Sequence, residues 1–225
     1  MRSRLKYQTF VPAFYWFAVH AVRVVANVVA RWKVRGRENV PADGPLIVVS
    51  NHLNITDPPL LASAILRRRV QFMAKIELFK YPLGIVPRLY GAFPVRRFDA
   101  DVGAMLTAER ILKRGGAIGM FPEGTRSRTG AMGAPHPGTA LIALRSGATV
   151  LPCAVTGTEQ LRRPLNLLRR PRVTVTIGRP IELTAVRRPS EEQVSELTTR
   201  IFATIGDLLP SKYRADDARE QSPKN

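Results

Sequence analysis

"PLIVVSNHLNITDP" (Pro45–Pro58) decides how this chain is read. Its first half is a short apolar run rich in β-branched residues, the pattern of a strand buried on both faces of a parallel sheet. Its second half is a polar loop holding His52 and Asp57. Asp57 followed by Pro58 and the apolar run "LLASAIL" (Leu60–Leu66) has the form of a helix start, with aspartate as N-cap and proline in the first helical turn. A strand that passes through a polar loop into a helix is a βα unit. His52 then falls where the chain leaves a buried strand, where α/β proteins place functional groups.

The same alternation continues outward. "RVQFMAK" (Arg69–Lys75), "AIGM" before "FPEGTRS" (Phe121–Ser127), "ATVLPCAV" (Ala148–Val155) and "RVTVTIG" (Arg172–Gly178) read as strands, and "GAFPVRR" (Gly91–Arg97) ends in a short one. Ala100–Arg114 and "GTALIALRSG" (Gly138–Gly147) have helical apolar spacing, and Ser190 with Gln193 opens a last helix through a capping box. This order predicts an α/β fold: one domain with a largely parallel central sheet flanked by helices. The expected boundaries are an N-terminal helix over 1–34, the main domain over 35–210, and a disordered polar tail over 211–225.

The chain has 225 residues, enough for one sizeable core, and 35 Lys and Arg against 17 acidic residues give a net charge of +18. Such an excess calls for a polyanionic partner: nucleic acid, an anionic membrane or a phosphorylated substrate. "LRRPLNLLRRPR" (Leu161–Arg172) is a basic-apolar segment of that kind, but no nucleic-acid-binding motif or zinc-finger spacing accompanies it. The lone cysteine, Cys153, sits in an apolar run and reads as a core residue. The three histidines, His20, His52 and His136, are too scattered for a metal site, so no metal is expected. From Phe10 to Ala30 the chain is nearly long enough to span a membrane, and it lacks the cleavage site of a removable signal peptide. His20, Arg23, Asn27 and Arg31 recur at intervals of three and four, on one helical stripe. The expectation is an amphipathic helix lying in a membrane interface, its aromatic-aliphatic face among lipids and Arg31, Lys33 and Arg35 near phosphates.

"NHLNITDP", "GAFPVRR", "FPEGTRS" and "VLPCAV" stand in the order and approximate spacing of the four motif blocks of the glycerophospholipid acyltransferase family. The chain resembles that family, and within it the bacterial 1-acylglycerol-3-phosphate (lysophosphatidic acid) acyltransferases, from about Asn39 to Pro180. The resemblance implies transfer of a fatty acyl group from an acyl thioester to the sn-2 hydroxyl of 1-acyl-glycerol-3-phosphate, giving phosphatidic acid in phospholipid biosynthesis. It implies no cofactor, with acyl-CoA or acyl carrier protein as donor, and a peripheral or monotopic place on the cytoplasmic face of the cell membrane.

His52 and Asp57 match the catalytic pair. Histidine titrates near neutrality and can take the hydroxyl proton as it attacks, while aspartate fixes the tautomer and stabilises the imidazolium. No G-x-S-x-G elbow is present, and none is needed where the acceptor hydroxyl is the nucleophile. Arg97, Glu123, Gly124, Thr125 and Arg126 match the blocks that hold the glycerol-phosphate head, with Lys75 a further basic position. Arg97 and Arg126 would grip phosphate through their guanidinium forks. Glu123 would orient an arginine or the acceptor hydroxyl, and Gly124 would offer its N–H to the developing oxyanion. Arg96 and Arg128 read as surface residues. His136 stands where many relatives carry lysine. Two alternatives stay open: an acceptor that is another lysolipid, such as a lyso-ornithine lipid, and a non-catalytic basic membrane- or nucleic-acid-binding protein.

Overall fold

The computed structural model describes residues 12–80, 84–96 and 101–214. Among these, seven strands form one sheet: β1 (Arg31–Arg35), β2 (Leu46–Ser50), β3 (Val70–Lys75), β4 (Phe93–Val95), β5 (Ala117–Met120), β6 (Thr149–Thr156) and β7 (Arg172–Ile177). Their order is β1-β7-β6-β2-β5-β3-β4, and every pairing is parallel except β6 with β7. The expected α/β fold is therefore observed. β2 and β5 are wholly buried, as their unbroken apolar runs require, whereas β7 alternates and β1 exposes Arg31, Lys33 and Arg35 at the edge. Pro152, an unusual residue for an inner strand, sits where pairing stops: the β6–β7 ladder begins at Cys153.

Successive residues of β2 point to opposite layers, as a period of two dictates. Leu46 and Val48 pack with α1 (Pro12–Val29) and α2 (Asp57–Ala64). Ile47 and Val49 pack with α4 (Val102–Lys113), α5 (Gly138–Ser146) and α7 (Glu191–Leu208). The shorter α3 (Ile85–Leu89) and α6 (Pro164–Leu168) lie in connections. The capping box opening α7 is formed: Ser190 and Gln193 each accept from the other's backbone N–H. Cys153 is fully buried, and burial pushes its thiol pKa up.

The N-terminal segment departs from the two-faced helix expected of it. Tyr15, Val19, Ala26 and Ala30 turn into the core, and the Tyr15 hydroxyl accepts from Val70 N–H at 3.0 Å. His20 and Asn27 remain on an exposed polar stripe. Phe17, Val24 and Val28 form a third, exposed apolar strip, each more than 60% accessible (70%, 64% and 65%). The aromatic face is thus divided between protein and outside. Residues 31–34, expected as the end of an appended helix, belong to β1 and are built into the sheet. No described helix is long and apolar enough to cross a membrane. The tail boundary also moves: Ser211–Tyr213 form a 3-10 turn whose Tyr213 is buried, because its hydroxyl donates to Glu159 Oε1 (2.8 Å) and accepts from Gly157 N–H.

Candidate functional site

Five parallel strands (β2 to β6) end at one edge of the sheet, and the His52 loop rises there from β2. Two asparagines secure it. Asn51 continues the β2–β6 pairing with its side chain, donating to Val155 O (2.9 Å) and accepting from Val155 N–H (2.8 Å). Asn54 donates to Thr158 O at 2.7 Å. The backbone of His52 is held at both ends by the segment after β5. Its N–H donates to Glu123 Oε1 (3.0 Å), and its carbonyl accepts from Ser127 N–H (2.7 Å). Arg162 spans the two loops, donating to Leu53 O and to Ser127 O.

His52 is 5% exposed, and its imidazole stacks on Phe121 at a centroid separation of 4.0 Å. Phe121 in turn stacks on Phe72 at 6.0 Å, and Gly119 makes room for that ring: a Cβ there would lie 2.3 Å from it. His52 Nδ1 lies 2.8 Å from Asp57 Oδ2. That same oxygen accepts from Leu53 N–H (2.6 Å) and Asn54 N–H (2.7 Å), and Oδ1 accepts from the Thr158 hydroxyl (2.7 Å). Backbone amides can only donate, so Oδ2 is an acceptor and the shared hydrogen sits on Nδ1. In the neutral ring that tautomer leaves the lone pair on Nε2, the form a base requires. Asp57 is therefore not the N-cap its sequence form implied. Thr56 holds that position, and the Asp57 carboxylate turns back onto its own loop.

The remaining sequence-selected residues gather unevenly. Glu123 is buried, with both oxygens engaged by amides, His52 N–H and Gly133 N–H (2.8 Å). Among the described residues no arginine pairs with it, and what it positions is the His52 backbone. Burial raises its pKa against the lowering by those two amides, and the nearby Asp57 adds to the rise. Gly124 adopts φ +65, but its N–H donates to Phe121 O (3.0 Å) and is taken by the turn, which removes it as an oxyanion donor. His136 lies over Gly124, where an added Cβ would come within 2.9 Å of its ring, so the residue standing for the relatives' lysine does reach the third block. Thr125 and Arg126 are exposed on this loop, two residues and one residue before Ser127. Lys75 ends β3 on the same edge of the sheet and pairs with Glu77 at 3.4 Å. Arg97 lies outside the described residues.

Asn51, Asn54, Phe121, Thr158 and Arg162 were not singled out from the sequence. The two asparagines flanking "HL" were the only local signal. Among the described residues no group of His, Cys, Asp and Glu could hold a metal.

A family model described as Acyltransferase matches residues 31–156. The 1-acyl-sn-glycerol-3-phosphate acyltransferase of Bacillus subtilis (strain 168) is 28% identical over 196 residues, covering 86% of this chain and 96% of that protein. The protein of that name from Streptococcus pneumoniae is 30% identical over 183 residues, covering 77% of this chain and 67% of its own length. The crystal structure of the 1-acyl-sn-glycerophosphate (LPA) acyltransferase PlsC from Thermotoga maritima superposes with a TM-score of 0.63 over 100% of this chain and 86% of that one. At 24% identity that likeness is one of fold.

Proposed function

Taking as premise that this chain belongs to the acyltransferase family, we propose that it moves a fatty acyl group from an acyl thioester to the sn-2 hydroxyl of 1-acyl-glycerol-3-phosphate, with His52 as base. The buried His52–Asp57 pair, its ring hydrogen held on Nδ1, carries the reading. Nε2 takes the hydroxyl proton as the oxygen attacks the thioester carbonyl. The new C–O bond forms, the tetrahedral intermediate expels the thiolate, and the imidazolium returns the proton to that sulfur. Asp57 stabilises the imidazolium between the two steps. Holding hydroxyl and carbonyl at attack distance supplies further rate.

For the acceptor, the names of the relatives above support lysophosphatidate, and the cations Arg126 and Lys75 on the same edge, with the His136 ring beside Gly124, support a phosphate-bearing head. Arg97 belongs to the same proposal through its motif alone. Thr125 would lie against the glycerol. Glu123 and Gly124 support the site through the His52 backbone and the turn. The exposed strip Phe17–Val24–Val28 supports attachment to a membrane surface, where lysolipid is found. The deciding assay incubates purified protein with lysophosphatidate and either acyl-CoA or acyl carrier protein thioester, and follows phosphatidate by mass spectrometry with His52→Ala as control. Acylation of a different lysolipid with none of lysophosphatidate would replace the acceptor while keeping the chemistry.

A further inference from the structure

Beside the His52 loop, the same edge of the sheet carries an open polar groove of about 600 Å³. It exists because the sheet changes direction. β7 runs against β6 and β1 runs with β7, so both begin where β6 ends. Arg31 and Arg172 are direct cross-strand partners there, and with Arg169 and Lys212 they line the groove, all four exposed. Like charges placed directly opposite on neighbouring strands repel. No ion pair among the described residues involves any of the four. The nearby Glu159 carboxylate accepts from the Tyr213 hydroxyl. The wall is stiffened by Arg170, a non-glycine residue at φ 47, whose guanidinium donates to Asn27 O at 2.6 Å.

Arg170 also lines the groove, so five basic residues surround one polar concavity that suits an anion from outside, and arginine forks suit phosphate oxygens. The lining Thr156 and Gln160 are no place for an acyl chain. Position narrows the anion further. Gly157 lines the groove, and the next residue, Thr158, donates to Asp57. One residue thus separates the groove from the His52–Asp57 pair. We propose that this groove binds the phosphate of the acyl donor's arm, the phosphopantetheine phosphate common to coenzyme A and carrier-protein thioesters. A donor anchored there has its phosphate on the edge of the sheet from which the His52 loop rises, and its arm runs along that edge to bring the thioester to His52, with the buried Thr158 beneath it and the acceptor head held from the Arg126 side. This inference rests on the acyl-transfer reading above.

The test compares full-length protein with its Arg31→Ser/Arg172→Ser variant, reading kcat/KM on acyl-4′-phosphopantetheine and on acyl-pantetheine, which differ only in that phosphate. The unmodified protein should favour the phosphorylated donor by about tenfold or more, the scale of one charge-assisted hydrogen bond. The variant should lose most of that preference. Equal preference ratios in the two proteins overturn the proposal, whatever their absolute rates. Calorimetric titration with free 4′-phosphopantetheine reads the groove without catalysis: binding that weakens in the variant supports it, and equal binding or none in the unmodified protein overturns it. If the unmodified protein acylates nothing, the acyl-transfer reading falls while the titration still decides the groove. Weakened binding of the variant to phosphatidylglycerol vesicles, with donor preference intact, would assign the groove to lipid headgroups and overturn the proposal.

Discussion

Asp57 can be removed in two ways that the structure says differ sharply. Alanine leaves the buried amides of Leu53 and Asn54 with no acceptor, since both donate to Oδ2 at 2.6 and 2.7 Å. A buried donor stripped of its partner costs roughly 1–3 kcal/mol, so the pair predicts a loss of about 2–6 kcal/mol. That is a large share of the roughly 5–15 kcal/mol that holds a domain together. Thr158 is left out of the count because its hydroxyl can rotate. Asparagine can keep its oxygen on the two amides and turn its NH2 toward Thr158 Oγ1, which has lone pairs to accept it. Asp57→Asn should therefore unfold at higher urea than Asp57→Ala. It should also keep the Nδ1–H tautomer, losing only the charge that steadies the imidazolium. Urea midpoints at constant m-value, read beside kcat for both variants, make the comparison. If Asp57→Ala is as stable as Asp57→Asn, the amides do not depend on the carboxylate and the account of the loop is wrong.

His52→Ala should fold normally and lose acyl transfer by a factor of about 10²–10⁴, the range of general-base catalysis; retention of more than about a tenth of the activity would remove His52 as the base. Because burial raises the Glu123 pKa, its folded state holds a proton that the unfolded chain releases near the ordinary value of about 4.3. Stability from this group is therefore full below that value and lost as pH rises through the folded pKa, and urea stability of Glu123→Gln measured against pH should lack that decline. Tyr15 is pushed up to about 12 by burial, partly offset by the Val70 amide. From this group alone stability should fall by about 2 kcal/mol between pH 10 and 12 as the unfolded chain ionises first. Tyr15→Phe should make that limb shallower, the rest coming from Tyr90 and Tyr213, which burial also pushes up, while lowering stability at neutral pH, since Val70 N–H loses its acceptor. Replacing Phe17, Val24 and Val28 together by serine should weaken co-sedimentation with anionic vesicles at least about a hundredfold, given about 1.5–3 kcal/mol per buried apolar side chain. Unchanged sedimentation would mean that α1 does not contribute to membrane attachment.

Strands β2, β5 and β6 were legible because burial on both faces demands an unbroken apolar run. β1 was not: an edge strand with charge at every second residue, Arg31, Lys33 and Arg35, reads equally well as the basic flank of a helix. Nor could helical periodicity show that Tyr15 enters the protein while Phe17 stays outside, since core and bilayer reward the same side chains. In the site, His52 and Asp57 stood out because both lie in one short loop. Asn51, Asn54, Thr158 and Arg162 make their bonds across sequence separations of 101 to 109 residues, which no local pattern records. For Glu123 the sequence offered only its place in the "FPEGTRS" block. Its true partners are backbone amides, which every residue but proline possesses.

Those long separations also bear on when a newly made chain becomes competent. While the ribosome has released only the first half of the protein, His52 and Asp57 are already present, yet Val155, Thr158 and Arg162 are not. The loop then lacks its tether to β6, and the Asp57 carboxylate lacks its hydroxyl partner. Pairing across so many residues is slow compared with local helix formation, so an ordered base arises only after β6 has joined the sheet. Nascent chains halted before Arg162 should be silent toward thioesters, and a protein that reaches a membrane during synthesis would arrive with its chemistry still switched off.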